Sequence, residues 1–417
     1  MRCEEKFDSE RIRDPCLGPV ALKALSWKRV ELNGNSMSFA RPLLVLLACA
    51  GNSFAVDWPI KSTTTAHRIF TGYGQFAEDT SGASSAFHFH EGVDIDASAG
   101  TGVYAVEDGA IVEAEARSPD SYFRWLTITR GAATSQALGY VHIMIGVNPR
   151  TGNPWTCGDS VQKGDLLGAV AAHAGVFSHV HLEVDSDADG FTNCAPTATS
   201  VAALAGDPLE ILAPAADTTK PTIEDVLFRD GSQEGVAAAA YHAEIVAGRN
   251  LIFGNVDIIV KAYDRFGAFN SRLGLQKVGF EVLGGPRAIA EQTLAHFTGT
   301  FISPPGSFNQ FRNPDLAQVI YEFDNTVASS QDLAGGTAND FFYVVTNKGS
   351  GSLTLTDRER YWNTDIRDVS GAHWNDLDTP GNRARFAGEA FFPDGDYTLR
   401  VFAEDEKGTT NRTTLDK

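Results

Sequence analysis

SHVHLEVDS, residues 178–186, is the stretch on which the reading of the fold turns. In an extended strand side chains alternate between two faces. His179, His181 and Glu183 therefore share one face, and Val180, Leu182 and Val184 form an apolar opposite face that wants a core. Two imidazoles side by side on a strand either make a solvated polar face or converge on a metal. The same short alternating pattern recurs upstream in TGVYAVEDGAIVEAEA (101–116), RWLTITRG (124–131) and ALGYVHIMIG (137–146), punctuated by Gly, Asp and Asn. That is the signature of an all-β, antiparallel domain.

Working outward, this first domain is expected over residues 56–212, closed by DPLEIL (207–212). APAADTTKP (213–221) reads by composition as a linker. Residues 222–417 form a second block with strand-like VDIIVKAYD (256–264), KVGFEVLG (277–284) and QVIYEFD (318–324). FPDGDYTLRVFAEDEKG (392–408) reads as turn, strand and turn, and resembles the last hairpin of immunoglobulin-like or fibronectin-like modules. A β-sandwich accessory domain with insertions is the natural architecture. PRAIAEQTLAHF (286–297) has the look of a helix.

The formal charge of -19 argues against nucleic acid as a partner, because a phosphate backbone asks for a basic face. Residues 1–36 read as an upstream extension. MSFARPLLVLLACAGNSFA (37–55) then has a short basic start at Arg41, an apolar run Pro42–Ala50 and a small-x-small end at Ser53-Phe54-Ala55. This predicts a secretory signal peptide, a new N-terminus at Val56 and an exported, periplasmic or extracellular chain. No internal apolar run beyond it reaches the roughly 18–20 residues of a membrane span. A competing reading takes Leu46-Leu47-Ala48-Cys49 as a lipobox, with a lipid anchor on Cys49. Of five cysteines, only Cys157 and Cys194 follow the signal, and in an exported chain they are expected to form one disulfide.

HEGVD (90–94) supplies further ligand types: His90 and Asp94, four apart, share a face when extended, and Gly92 keeps that side uncrowded. A catalytic zinc takes three protein ligands of N and O type and keeps one position open. His90, Asp94 and His181 make such a set; His88 is the competitor for His90. His142, in the apolar run ALGYVHIM, is on its own more simply a structural histidine.

The order of HxGxD, a Tyr-x-His strand and HxH resembles the lysostaphin or LytM-type metallopeptidases. GVDIDASAGTGVYAVEDGAIV (92–112) and GDSVQKGDLLGAV (158–170) resemble the intervening family pattern. The resemblance covers about residues 68–212. It implies a compact antiparallel fold, one catalytic Zn2+ held by His90, Asp94 and His181, and His142 and His179 as the catalytic pair beside it. It also implies a peptidoglycan endopeptidase acting on stem peptides or cross-bridges. Glu183 is expected to orient a neighbour rather than serve as the base. TGYGQF (71–76) departs from the family's Phe-Gly-x-Arg, and AAHAGVFSHVH (171–181) lacks its Gly-x-Ser-Thr-Gly run. Both departures bear on substrate preference.

Two further signals compete with plainer readings. DSDADG (185–190) resembles a calcium loop, with Asp185, Asp187 and Asp189 as Ca2+ ligands, but Pro196 stands where an EF-hand loop places its last Glu. An acidic solvated turn is the alternative. Tyr361, Trp362 and Trp374 suit either a wall-binding surface or a sandwich core. The other functional readings are a non-catalytic peptidoglycan-binding activator of wall hydrolases and a secreted zinc peptidase for glycine-rich proteins.

Overall fold

The alternating segments of the first block pair into antiparallel sheet. A computed structural model describes residues 55–78, 87–116, 124–129, 136–172, 177–185, 204–214, 217–230, 245–246, 248–266, 271–283, 296–298, 314–322, 341–347, 353–355, 357, 362–363 and 394–417. Among these residues an eight-stranded sheet runs in the order Ile69–Thr71, Val93–Asp96, His179–Asp185, Ala137–Val141, Arg124–Thr129, Gly109–Ala116 and Ser160–Val161, with Leu204–Gly206 added beside the His179 strand. A three-stranded sheet is built from Gly102–Tyr104, Leu166–Val170 and Ile143–Ile145. Every pairing between these strands is antiparallel.

The central strand His179–Asp185 behaves as its alternation requires. Val180, Leu182 and Val184 are buried in the core with Val93, Ile95, Leu138 and Tyr140. The domain is tied shut at its ends. Val56 pairs with Leu212, and its amide donates to the Ile211 carbonyl at 2.7 Å. DPLEIL does so as a 3-10 turn, Pro208–Glu210, in which the Asp207 side chain accepts from the Leu209 amide.

The second block is antiparallel as well. Thr222–Asp230 pairs with the long strand Asn255–Arg265, which also takes Arg272–Leu273, Phe342–Val344 and Trp362–Asn363. A second sheet has the order His296–Thr298, Lys277–Leu283, Thr398–Glu404 and Thr413–Asp416. The expected hairpin near the C-terminus is present: Thr398–Glu404 turns through Gly408–Asn411 into Thr413–Asp416. Apolar side chains of both blocks join one core, and Asn52–Lys417 forms one compact unit. The described residues of the 213–221 stretch, 213–214 and 217–221, are packed rather than dangling. Trp58 Nε1 donates to the Pro214 carbonyl at 3.3 Å, and Asp217 is only 1% exposed.

One expectation fails locally, and a second can be followed only at its end. QVIYEFD is not a strand: its Gln318-Val319-Ile320 ends the helix Pro314–Ile320, and Tyr321 alone bridges to Tyr343. Pro fits the first turn of a helix, and Leu316, Ala317, Val319 and Ile320 are the buried stripe of a 3.6-residue period. In PRAIAEQTLAHF, His296 and Phe297 open the strand His296–Thr298, and the rest lies outside the described residues. So do residues 1–54 with Cys49, and Asp187, Asp189, Cys194, Tyr361 and Trp374. Cys157 is disulfide-bonded. No helix among the described residues is long and apolar enough to cross a membrane.

The second block is pinned by a buried charge network. Arg229 donates to Asp257 Oδ2 from Nε at 3.2 Å and from Nη2 at 2.8 Å, and from Nη1 to Glu322 Oε2. Thr346 Oγ1 donates to the other Asp257 oxygen at 3.0 Å. Burial pushes Asp257 up to about 6 despite the Arg229 guanidinium beside it. Removing one partner of a buried pair strands the other. Arg229→Met is therefore expected to cost about 3–5 kcal/mol in urea unfolding. A loss below about 1 kcal/mol would show that the network is not a structural pin.

Candidate active site

Cross-strand register brings the predicted residues together. His181 lies opposite Asp94 on the neighbouring strand, and opposite Val141 on its other side. His90 precedes the Val93–Asp96 strand, and Gly92 carries the bend between them. A Cβ on Gly92 would sit 2.2 Å from the Leu182 carbonyl oxygen and 2.8 Å from His181 Nε2, so glycine is required for this close approach.

The result is a cluster in which His90, Asp94 and His181 offer ligand atoms within 4.8 Å of one another, all three buried. Asp94 Oδ1 is the meeting point, 3.0 Å from His90 Nε2 and 2.8 Å from His181 Nδ1. The far nitrogen of each imidazole is held by an oxygen. His90 Nδ1 lies 3.1 Å from the Gly72 carbonyl, and His181 Nε2 lies 2.9 Å from Glu183 Oε1. An oxygen acceptor on one ring nitrogen fixes the tautomer that leaves the other as a lone-pair donor, which is how metal-binding histidines are oriented. Two imidazoles and a carboxylate so arranged fit a borderline cation such as zinc.

His142 and His179 complete the site. Their ring centroids are 4.8 Å apart, and His142 is 6.0 Å from His181. His179 Nδ1 lies 2.8 Å from the Phe177 carbonyl, which turns Nε2 toward Asp94 Oδ1 at 3.4 Å. His142 is not an ordinary residue of an alternating strand. With φ at 62° it is the one non-glycine residue with positive φ among those described. It stands where the chain leaves the Ala137–Val141 strand of the large sheet for Ile143–Ile145 of the small one. Such backbone is unfavourable for a residue with a Cβ and persists only where its surroundings enforce it. Here the Ala171 amide donates to the His142 carbonyl at 2.8 Å. His88 falls in the strand Phe87–Phe89, and its side chain lies outside what is described.

Electrostatics follow from the crowding. Burial alone would raise Asp94, but the charges of His179 and His90 and hydrogen bonds from His181 and His90 hold it well below the usual carboxylate range. Burial opposes a charged His181, yet the Asp94 and Glu183 carboxylates on its two nitrogens push it up to about 10.

What the sequence reading missed is the support of His90. Its amide donates to the Gln75 carbonyl and its carbonyl accepts from the Gly74 amide, each at 2.7 Å. Gln75, 1% exposed, receives the Gly72 amide on Oε1 at 3.0 Å and the Gly274 amide at 3.4 Å. Tyr321 donates its hydroxyl to the Gly74 carbonyl at 3.0 Å. The only sequence signal was the glycine-flanked turn in TGYGQF itself, at the point where it departs from the family pattern.

Residues 88–193 match the sequence model of peptidase family M23, and the four site histidines and the aspartate fall inside that span. No curated protein sequence matches the chain. Among solved structures, the chain is similar to Helicobacter pylori Csd3, at 20% identity over 32% of each chain with a TM-score of 0.24. It is similar to a zinc containing peptidase from Vibrio cholerae, at 20% identity over 31% of this chain and 36% of that one, TM-score 0.23. It is also similar to the catalytic domain of the antimicrobial peptidase lysostaphin from Staphylococcus simulans, at 22% identity over 29% of this chain and 81% of that one, TM-score 0.22. The match thus spans about a third of the Helicobacter and Vibrio chains.

The orienting contact from Glu183 gives a direct test. Glu183→Ala should lower Zn2+ affinity by about 10- to 100-fold, read by competition with a chromophoric chelator, with the far-ultraviolet dichroism unchanged. Unaltered affinity would mean that the Glu183 contact contributes nothing to holding the ligand.

Proposed function

Proceeding from a peptidase family M23 domain at residues 88–193, we propose that this chain is a zinc metalloendopeptidase that hydrolyses peptide bonds in the peptide part of peptidoglycan, outside the cytoplasm. The observation that supports it best is the convergence of His90, Asp94 and His181, with the His142 and His179 rings packed beside them. His90 Nε2, His181 Nδ1 and an Asp94 oxygen would hold the metal. Bound zinc would supply a Lewis acid and acidify a coordinated water to a pKa of about 7.

The chain's own contribution is proton handling and orientation. His179 is held by the Phe177 carbonyl at Nδ1, which leaves Nε2, 3.4 Å from Asp94 Oδ1, as the nitrogen on the metal side of the ring. From there it can hydrogen-bond a developing oxyanion or hand a proton to a leaving amine. His142 stands beside it, and its enforced backbone presents the ring at the seam between the two sheets. Glu183 is committed to His181 and is not placed as a general base. Peptidoglycan as substrate rests on the motif resemblance of residues 90–94, 140–142 and 179–184. Export through the 37–55 signal, and an accessory role for residues 222–417, complete the reading.

The experiment is dye release from labelled peptidoglycan by the full chain. Release should be abolished by a chelator, restored by Zn2+ and absent in His181→Ala. His179→Ala should retain zinc yet lose roughly 10²- to 10⁴-fold in kcat/KM, the usual contribution of a positioned acid or base. Activity should be highest near neutral pH. Full activity at acid pH, where imidazoles are protonated, would overturn the roles given to His142 and His179. Zinc-loaded protein that releases nothing would overturn the substrate.

A further inference from the structure

A second cluster of buried charge lies away from this site, where three chain segments meet. Asp217 comes from the stretch joining the two blocks, Asp264 from near the end of the strand Asn255–Arg265, and Asp405 and Glu406 from just beyond the strand Thr398–Glu404. Their carboxylates each offer an oxygen within 4.8 Å of the others. Asp217, Asp264 and Asp405 are 1%, 3% and 2% exposed. Asp207, Glu210 and Tyr73 face the same region from the first block.

The hydrogen bonds on these carboxylates come from turns that hold them in place. Asp217 Oδ1 accepts from the Thr219 amide at 3.0 Å and its hydroxyl at 2.8 Å. Asp405 Oδ1 accepts from the Lys407 amide at 2.8 Å, and its Oδ2 from Asn411 Nδ2. Asp264 accepts from the Arg265 amide. Lys407 Nζ meets Glu406 Oε1 at 3.0 Å. Two buried oxygens of these carboxylates, Asp217 Oδ2 and Asp264 Oδ1, are reached by no hydrogen-bond donor among the described residues. A buried carboxylate oxygen without a partner costs far more than an ordinary unmade contact, and four carboxylates facing one ammonium cannot neutralise one another.

We propose that Asp217, Asp264, Asp405 and Glu406 form a calcium site that ties the 213–221 stretch to the second block. The donors are all carboxylate oxygens, and they come from three separate segments of the chain, one of them the strand Asn255–Arg265. That set suits Ca2+, which takes 6–8 oxygens, better than zinc, which favours nitrogen and sulfur, or Mg2+, which demands a near-ideal octahedron. The site is distinct from the acidic stretch 185–190. Without a cation, burial pushes Asp264 up to about 8 and Asp405 up to about 7, and raises Glu406. A carboxyl whose folded pKa lies above its unfolded value is most favourable to folding at acid pH and loses that stability as pH rises through the folded pKa. Calcium and protons therefore compete for the same oxygens.

The test is CaCl2 binding to the full chain with zinc held constant, by equilibrium dialysis and thermal melting. One calcium per chain is expected, raising Tm by about 3–5 °C at a hundredfold excess over Kd, with Mg2+ less effective. Asp264→Asn with Asp405→Asn should abolish binding and melt, without calcium, no lower than the parent, because buried charge has been removed. Should that pair fail to fold, the single substitution Glu406→Gln, which keeps the side chain's size, should still weaken calcium binding by tenfold or more. His181→Ala, and Asp187→Asn with Asp189→Asn, should bind calcium as the parent does. No calcium bound by the parent, or binding untouched in both cluster variants, would show that these carboxyls keep protons instead.

Discussion

The structure is organised around one carboxylate oxygen. Asp94 Oδ1 is approached by His181 at 2.8 Å, His90 at 3.0 Å and His179 at 3.4 Å. A carboxylate this buried is tolerable only with compensating positive charge or hydrogen bonds, so the site must assemble as a unit. What assembles it is strand register. A slip of one residue would turn His181 into the core and Leu182 toward Asp94. The register is held by Val180, Leu182 and Val184, which bury the opposite face of the same strand. Apolar alternation on one face is thus what places chemistry on the other.

His90 depends on a different mechanism. It precedes its strand, so sheet register does not place it. Its position comes from the turn at residues 72–75, whose backbone brackets it on both sides and whose Gly72 carbonyl holds its ring. That turn is in turn held from the second block, by Tyr321 on the Gly74 carbonyl and by the Gly274 amide on Gln75. The Phe89 and Tyr321 rings pack 6.3 Å apart across the same boundary. The second block therefore supports one ligand of the site directly, whatever else it contacts.

Much of this was legible in the sequence, and the remainder was illegible for identifiable reasons. The shared face of His179 and His181 follows from a period of two, and the need for Gly92 follows from its place between two ligand candidates. Both are local properties. His142 looked like one more residue of an alternating strand because alternation does not report the sign of φ; its role as the seam between two sheets is set by the Leu166–Val170 strand across from it. Gln318-Val319-Ile320 looked like strand because β-branched residues suit both environments, and Pro314 together with packing against the first block decided for helix. The stretch 213–221 has the composition of a tether, and composition says nothing of the buried partners that Asp217 meets.

One strand shows the two ways this molecule deals with buried acid. Asp257 and Asp264 lie seven residues apart on Asn255–Arg265, at opposite ends of it. Asp257 is fully buried, and the chain supplies its compensation: Arg229 on one oxygen and Thr346 on the other. Asp264 is nearly as buried, but the side chains that face it are further carboxylates, and Lys407 reaches only Glu406 among them. The Arg265 guanidinium, next in sequence, is turned away onto Tyr263. A chain that answers the first acid with a bidentate arginine has left the second without a cation of its own, in a place where several turns hold oxygen atoms toward one another. One ammonium, that of Lys407, does not balance four carboxylates, and the rest of the compensation is left to solution, as protons or as a metal ion. The oxygen-rich geometry, rather than the acidity alone, is what favours the ion.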